Sequence, residues 1–369
     1  MLKLLTLLLL SVSLSAFSIN EEWTASQAVT SPELVNAFAG LSVEATAEAL
    51  DQLSGNQHTN DPFITFALNR QFVRRMYDPV RNVVTTMPCC RCEDPCLMGL
   101  DAWVEGSYDR IITKNDENSF GFNSSGYEVT LGLQKSFCDT ALVGIAGSYA
   151  HDFVHYNLGG HNKLDTGLLG IYALYRPQHW YILYDISGSY TNSKIHRPIS
   201  VGPLNVVADS SAPLYHLVSY GEVGVDLPMC WVLFQPFFGI ESQTCWRDRT
   251  VEAGAGVANL VVYERRHTLT TSRLGLHATS RPYCTFSVSL DAAWNCRLTD
   301  ENVLLWQTFQ TFGDFFQDHG LHLNRNSFDG AITVTSAFEE NFKAYLQATT
   351  EIWNRATDYS IVLGVVANF

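Results

Sequence analysis

Charge is what this chain has least of. Asp, Glu, Lys and Arg make up 16% of its 369 residues, where a soluble globular domain carries about a quarter. Hydrophobic residues reach 46% and aromatics 12%, far too much for a disordered chain, so the missing charge points away from an ordinary soluble surface. Basic residues are the scarcer sign: 23 Lys and Arg stand against 37 Asp and Glu, for a net charge of −14. Without a basic face to displace counterions from phosphates, nucleic acid is set aside as a partner. Long hydrophobic runs are missing too. Past residue 18 no uninterrupted apolar stretch reaches the roughly 18 residues that a transmembrane helix needs. Nor is there a glycine-rich phosphate loop or a serine-nucleophile elbow.

What is present begins with an export signal. Lys3 precedes a leucine-rich stretch over residues 4–14, followed by the small residues Ser15, Ala16 and Ser18. A short basic start, an apolar run too brief to span a bilayer and a small-residue cleavage zone predict a secretory signal peptide at residues 1–18. An exported, charge-poor chain without spanning helices has one other way to meet lipid, as a closed β-barrel.

From Gly99 onward the chain alternates apolar with polar or small residues in runs of strand length. Tyr359, Ile361, Leu363, Val365, Ala367 and Phe369 share one face of the last run. Phe286, Val288, Leu290, Ala292 and Trp294 do the same earlier, against Ser287, Ser289, Asp291 and Asn295. About twelve such runs begin near Leu100, Gly126, Thr140, Lys163, His179, Ala212, Trp231, Arg266, Tyr283, Ser327, Asn341 and Asp358. An even number fits an outer-membrane barrel with both chain ends periplasmic. Short turns (138–140, 176–178, 227–230, 280–283, 339–341) alternate with longer connections (114–125, 153–162, 193–211, 248–265, 298–323), and only 355–357 breaks the pattern. That is the asymmetry between periplasmic turns and external loops. A soluble sandwich also alternates, but its second face meets bulk water and carries many Lys, Glu and Arg; here that face is rich in Ser, Thr, Gly, Asn and Gln.

Two helices are predicted ahead of the barrel. Ser31, Pro32 and Glu33 give a cap, a first-turn proline and a dipole-matched acid for a helix running to Leu53 and closed by Gly55. Asp61 and Pro62 start a second, which carries Arg70, Arg74 and Arg75 through Tyr77 and stops near Pro79. At about 1.5 Å per residue it reaches roughly 24 Å, the height of an outer-membrane barrel's apolar band.

The stretch 49–81, with Leu50, Leu53, Ser54, Gly55, His58, Phe72 and Arg74, resembles the segment that precedes the translocator barrel of classical autotransporters. The runs at Trp103–Tyr108 and Tyr127–Phe137 resemble the family's opening strands, and Phe369 its terminal aromatic. One departure is Asn56, where the family commonly has an acid. The resemblance covers about residues 45–369 and implies an all-β, twelve-stranded transmembrane barrel with the preceding helix threaded through or beneath the lumen. It further implies a division into a signal peptide (1–18), a short passenger remnant and helical linker (19–60), a pore helix and Cys-rich linker (61–98) and the barrel (99–369). Arg70, Arg74 and Arg75 are then expected opposite inward acids such as Glu105, Glu128, Asp185, Glu222 and Asp226; the competing expectation is a solvated periplasmic helix face. Only some thirty to forty residues separate the signal from the linker, too few for a long passenger. Tyr359 and Phe369 are expected to form the assembly signal read by the barrel-assembly machinery.

Nine cysteines are many for such a barrel. Cys89, Cys90, Cys92 and Cys96 crowd the linker, and Cys138, Cys230 and Cys284 fall near short turns on the same side, with Cys245 and Cys296 toward external strand ends. In an oxidising compartment these are disulfide or thiol candidates, within the chain or to other envelope proteins, by analogy with the cross-linked envelopes of chlamydia-like bacteria. Cys89 and Cys92 have zinc-like spacing but no paired second half, so no metal is expected. Asp165-Thr166-Gly167 has no second copy to share a proton, and His151, Asp152 and His155 have the residue types of a hydrolase dyad but also those of a polar strand end. The expectation is therefore an outer-membrane translocator without catalysis or cofactor, in contact with lipid; a passive porin and a disulfide-cross-linked envelope protein are the alternatives.

Overall fold

The computed structural model describes residues 18–84, 99–116, 119–137, 140–281, 285–299, 303–339 and 341–369, with side chains omitted over 78–84. Twelve long antiparallel strands close on themselves: β1 (Leu100–Thr113), β2 (Phe122–Phe137), β3 (Ala141–Tyr156), β4 (His161–Tyr175), β5 (Trp180–Val201), β6 (Leu204–Val225), β7 (Val232–Arg247), β8 (Arg265–Ser280), β9 (Phe286–Arg297), β10 (Asn326–Glu339), β11 (Phe342–Ile352) and β12 (Ala356–Asn368). Each pairs with its sequence neighbours, and β12 returns to β1 in continuous register from Asp101↔Asn368 to Thr113↔Ala356. No barrel edge is left open, which is what a sheet in lipid requires.

Side-chain alternation follows the two-residue period. In β12 Asp358, Ser360, Val362 and Val366 point inward and are buried, while Tyr359, Ile361, Leu363 and Val365 are exposed. The outer wall thus presents aliphatic side chains between two aromatic levels. Tyr108, Tyr127, Tyr149, Tyr190, Tyr215 and Trp246 stand toward one rim; Phe137, Tyr175, Trp180, Trp231, Phe342 and Phe369 stand at the rim where the barrel begins and ends.

The turns at that second rim are short, as expected. At the opposite rim the predicted loops 153–162 and 193–211 are mostly strand. β3 and β4 continue to a turn at residues 157–160, and β5 and β6 run 22 residues each to a tight turn at Gly202. The alternation persists there because these extensions bury Ile199, Val201 and Ala208 in a second hydrophobic core beyond the barrel. Within the connections 248–265 and 298–323 the segments Thr250–Val251, Leu260–Val262, Leu304–Phe309 and Phe316–His319 form a small separate sheet.

Among the described residues four helices precede the barrel: α1 (Ile19–Ala28), α2 (Pro32–Ala37), α3 (Val43–Ser54) and α4 (Gln57–Val84). The single helix predicted over 31–53 is broken, because the chain turns at Gly40 (φ 86°) and Ser42 caps a new helix through Ala45 N–H. α1 has no counterpart among the predicted helices. Its signal is the capping box in which Ser18 accepts from the Glu21 N–H while Glu21 reaches back to the Ser18 N–H. α4 begins four residues before Asp61 and continues past Pro79. Pro62 lies in its second turn and withholds only one donor, the N–H that would meet the His58 carbonyl.

Candidate functional site

α4 runs through the lumen, and its contacts define both the bore and the end that is closed. Along the wall-facing side, Ile64, Leu68, Phe72, Val73, Met76 and Tyr77 are buried in one cluster with Trp103, Leu168, Tyr172, Tyr181, Tyr220 and Tyr345. Gly170 leaves room for Met76: a Cβ there would lie 2.7 Å from the Met76 sulfur. Toward the rim of the chain ends, aromatic side chains fill the bore. Trp103 Nε1 donates to the Tyr172 hydroxyl at 3.1 Å, and Tyr172 donates to Gln134 at 3.0 Å.

The three arginines bind the opposite side of the helix to the wall. Arg70 donates to Glu241 on β7 at 2.9 Å and to Glu351 on β11 at 2.8 Å. Arg74 pairs with Asp329 on β10 and with Glu351 at 2.9 Å. Arg75 holds both oxygens of Asp109 on β1 at 2.9 Å and also meets Glu128 on β2. Each of these groups is largely buried.

Of the five acids singled out from sequence, Glu128 meets Arg75 of the helix. The other four are inward-facing and buried but sit nearer the rim of the chain ends. Glu105 accepts from Tyr345; Glu222 accepts from Tyr181 at 2.8 Å and Tyr220 at 2.5 Å; Asp226 accepts from Arg176 at 2.6 Å and Gln235 at 2.7 Å. Asp185 is buried with neither oxygen hydrogen-bonded among the described residues. The acids that do serve the helix, Asp109, Glu241, Asp329 and Glu351, share the inward parity. Their sequence signal is depth: three of them lie nine residues along their strands, whereas Glu105 and Asp185 lie five along.

At the other end α4 emerges into a closed cap. α1, α2 and α3 lie on the β5–β6 extension and the small external sheet, burying Leu34, Leu53, Val201, Leu260, Leu305 and Phe316. Arg197 on β5 is fully buried and donates to Glu252 at 2.9 Å and to the Ala258 carbonyl at 3.2 Å. Glu252 also accepts from Leu260 N–H at 2.8 Å and contacts His58 Nε2 at 2.9 Å, while Arg247 lies 2.9 Å from His58 Nδ1. With Arg247 donating to Nδ1, the His58 proton belongs on Nε2, aimed at Glu252. Burial alone raises a carboxyl, yet Arg197 and His58 pull Glu252 down to about 2. Asn56, the position at which the family commonly has an acid, accepts from Ser119 Oγ at 2.8 Å and Phe120 N–H at 3.1 Å, and donates to the His319 carbonyl at 3.1 Å. Asn20 and His319 exchange hydrogen bonds at 3.0 and 2.9 Å.

A closed twelve-stranded wall, with the helix that precedes its first strand ion-paired inside it, is the arrangement of a translocator. The family profile described as Autotransporter beta-domain matches residues 102–349. The chain belongs to the autotransporter β-domain family. Among solved autotransporter structures, the translocator domain of NalP from Neisseria meningitidis superposes with a TM-score of 0.63 at 12% identity, covering 83% of this chain and 98% of that one. The transport unit of AIDA-I from Escherichia coli gives 0.51 at 12% identity, over 79% and 97%. Comparison with curated protein sequences gives no match. As an autotransporter barrel the chain is an outer-membrane protein in contact with lipid, with a translocator's architecture. The rim bearing the barrel's ends and its short turns is then periplasmic, and the cap is external.

Among the described residues Cys230, Cys245 and Cys296 are free thiols, exposed, buried and half-buried in turn. Cys230 lies at a periplasmic turn, the other two near external strand ends. Cys89, Cys90, Cys92, Cys96, Cys138 and Cys284 lie outside the described residues, as do residues 1–17 of the predicted signal peptide. His151 pairs with Asp165 at 2.8 Å on the outer wall, whereas Asp152 faces inward and is buried. The His151, Asp152 and His155 grouping, which the sequence also offers as a polar strand end, is therefore split between two faces of β3.

Proposed function

We propose that this translocator carries its own N-terminal stretch as cargo and keeps it: residues 19–56 are delivered to the outer face and fold there as a lid, while α4 remains in the lumen as the plug. The observation that supports this reading most is the continuity of the two cores. α4 is ion-paired to five carboxylates on five strands and runs directly into helices that pack on the external strand extensions. In this reading the barrel performs no chemistry of its own. Residues 1–18 direct export, and Tyr359 and Phe369 present the last strand to the barrel-assembly machinery; Phe369 N–H bonds the Leu100 carbonyl at 2.9 Å at the closing seam. The cysteine-rich linker and Cys230 share the periplasmic side, where disulfides to envelope partners are open to them.

The test is surface accessibility at Gly40, an exposed turn where an added Cβ would meet nothing within 4 Å. An epitope inserted there is expected to bind antibody on intact cells. Binding only after the outer membrane is permeabilised contradicts the proposal.

A further inference from the structure

The outward faces of β3 to β6 change character above the outer tyrosine level. Tyr149, Gly167, Tyr190 and Tyr215 are in register across these four strands. Below them the outward residues are apolar, as at Leu169, Ile186 and Leu217. Six residues further out on each strand, at the same parity, the register brings His155, His161, His196 and Asp209 into one row. One level lower, Lys163 pairs with Lys194, and Phe153 stands beside Lys163. The lysine level, four residues above the tyrosines, lies about 13 Å further along the strand, or roughly 10 Å in height at a tilt near 40°. From there a long side chain reaches back into a headgroup layer about 5–8 Å deep, and the histidine row stands above it.

The row is ordered by its own contacts. His161 stacks on His196 with centroids 4.8 Å apart and on Phe153 at 5.4 Å. Asp209 holds His196 Nδ1 at 2.7 Å, which turns the other ring nitrogen outward. Asp165 is occupied by His151 at 2.8 Å and the Tyr149 hydroxyl at 2.9 Å, with Lys194 3.9 Å away. Lys163 lies over the Phe153 ring at 5.9 Å and has no carboxylate within ion-pair distance among the described residues. No group of three His, Cys, Asp or Glu side chains among the described residues converges as metal ligands.

We propose that this ledge seats the phosphate of an outer-leaflet lipid headgroup. Lys163 and Lys194 supply the charge by reaching down from above, the stacked histidine row and Phe153 hold the rim over them, and the tyrosine level beneath fixes the height at which an embedded lipid presents its phosphate. The lipid source follows from continuity with the hydrocarbon-facing wall, since the ledge opens sideways into the headgroup layer.

The full-length protein, stripped of lipid in detergent, is titrated with a diphosphorylated lipid A and with the same lipid lacking phosphates, and bound lipid is counted by native mass spectrometry. The wild type is expected to retain the phosphorylated form selectively. Lys163→Ser with Lys194→Ser is expected to lower retention by about tenfold, while Lys135→Ser, near the periplasmic rim, leaves it unchanged; heat-modifiable migration verifies that each variant is folded. Equal retention of both lipids, or unchanged retention by the double variant, overturns the proposal. So does displacement of the lipid by millimolar inorganic phosphate, which makes free phosphate the ligand, or stoichiometric zinc binding lost in His161→Ala, which makes the row a metal site.

Discussion

Arg70 Nε lies 2.9 Å from Glu241 Oε1, fastening the pore helix to β7 at a site where both side chains are more than nine-tenths buried. Removing one partner of a buried pair leaves the other charge uncompensated, a loss of about 3–5 kcal/mol. Arg70→Ala is therefore expected to lower the urea midpoint of the folded barrel, read as loss of heat-modifiable migration. Arg70→Ala with Glu241→Gln should recover part of the loss, because the stranded carboxylate is gone. A single substitution with no effect contradicts the assignment of this pair.

Gly55 ends α3 with φ of 73°, and a Cβ there would lie 2.4 Å from Leu260 Cδ1 in the external sheet. Alanine brings both left-handed strain and a clash, about 1–3 kcal/mol at this one position. The lid is expected to loosen without loss of the barrel. Limited proteolysis near Gly40 should accelerate several-fold in Gly55→Ala, while the heat-modifiable fraction stays at its wild-type value.

Lid stability should fall both above and below about pH 4, for different reasons. Burial, then the neighbouring Glu21 charge, lifts Asp51 of α3 to about 8. An unfolded Asp titrates near 3.9, so the folded lid binds the extra proton and loses stability as pH rises from about 4 through about 8. Glu252 is shifted the other way, to about 2. Its contribution is present above the unfolded Glu value near 4.3 and is lost as pH falls from there toward about 2. Protection factors for amide exchange over residues 19–56, taken against the base-catalysed intrinsic rate at each pH, are expected to be lower at pH 9 than at pH 6, and Asp51→Asn should remove that difference. Equal protection factors at both pH values in the wild type contradict it.

The last strand should govern assembly. Phe369 is 75% exposed, beside the periplasmic seam where β12 meets β1. Phe369→Ala is expected to reduce the heat-modifiable fraction in cells several-fold while leaving the stability of the molecules that do insert nearly unchanged. A matched fall in both measurements assigns Phe369 to packing instead.

Much of the wall is legible in the sequence because lipid and lumen impose opposite chemistries on alternate residues, as Ile361 and Ser360 show; strand number and the placement of short turns follow from that period alone. The pore helix is legible through Arg70, Arg74 and Arg75 on an otherwise apolar pattern. Their partners are legible in kind but not in position. Inward parity admits Asp185 and Glu351 equally, and only the height of the helix in the bore selects Glu351. The lid is the least legible part. His58, Arg197, Arg247 and Glu252 come from four separated stretches, and the same alternation that marks a membrane strand continues into the β5–β6 extension, where it serves an aqueous-side core.

The central claim is that the bore is filled by the chain's own helix. Planar-bilayer conductance compares the intact protein with a variant lacking residues 19–84, both refolded to the heat-modifiable form. The account predicts low conductance for the intact protein and a several-fold larger one for the variant. Large and equal conductance in both contradicts it and makes the barrel an open pore.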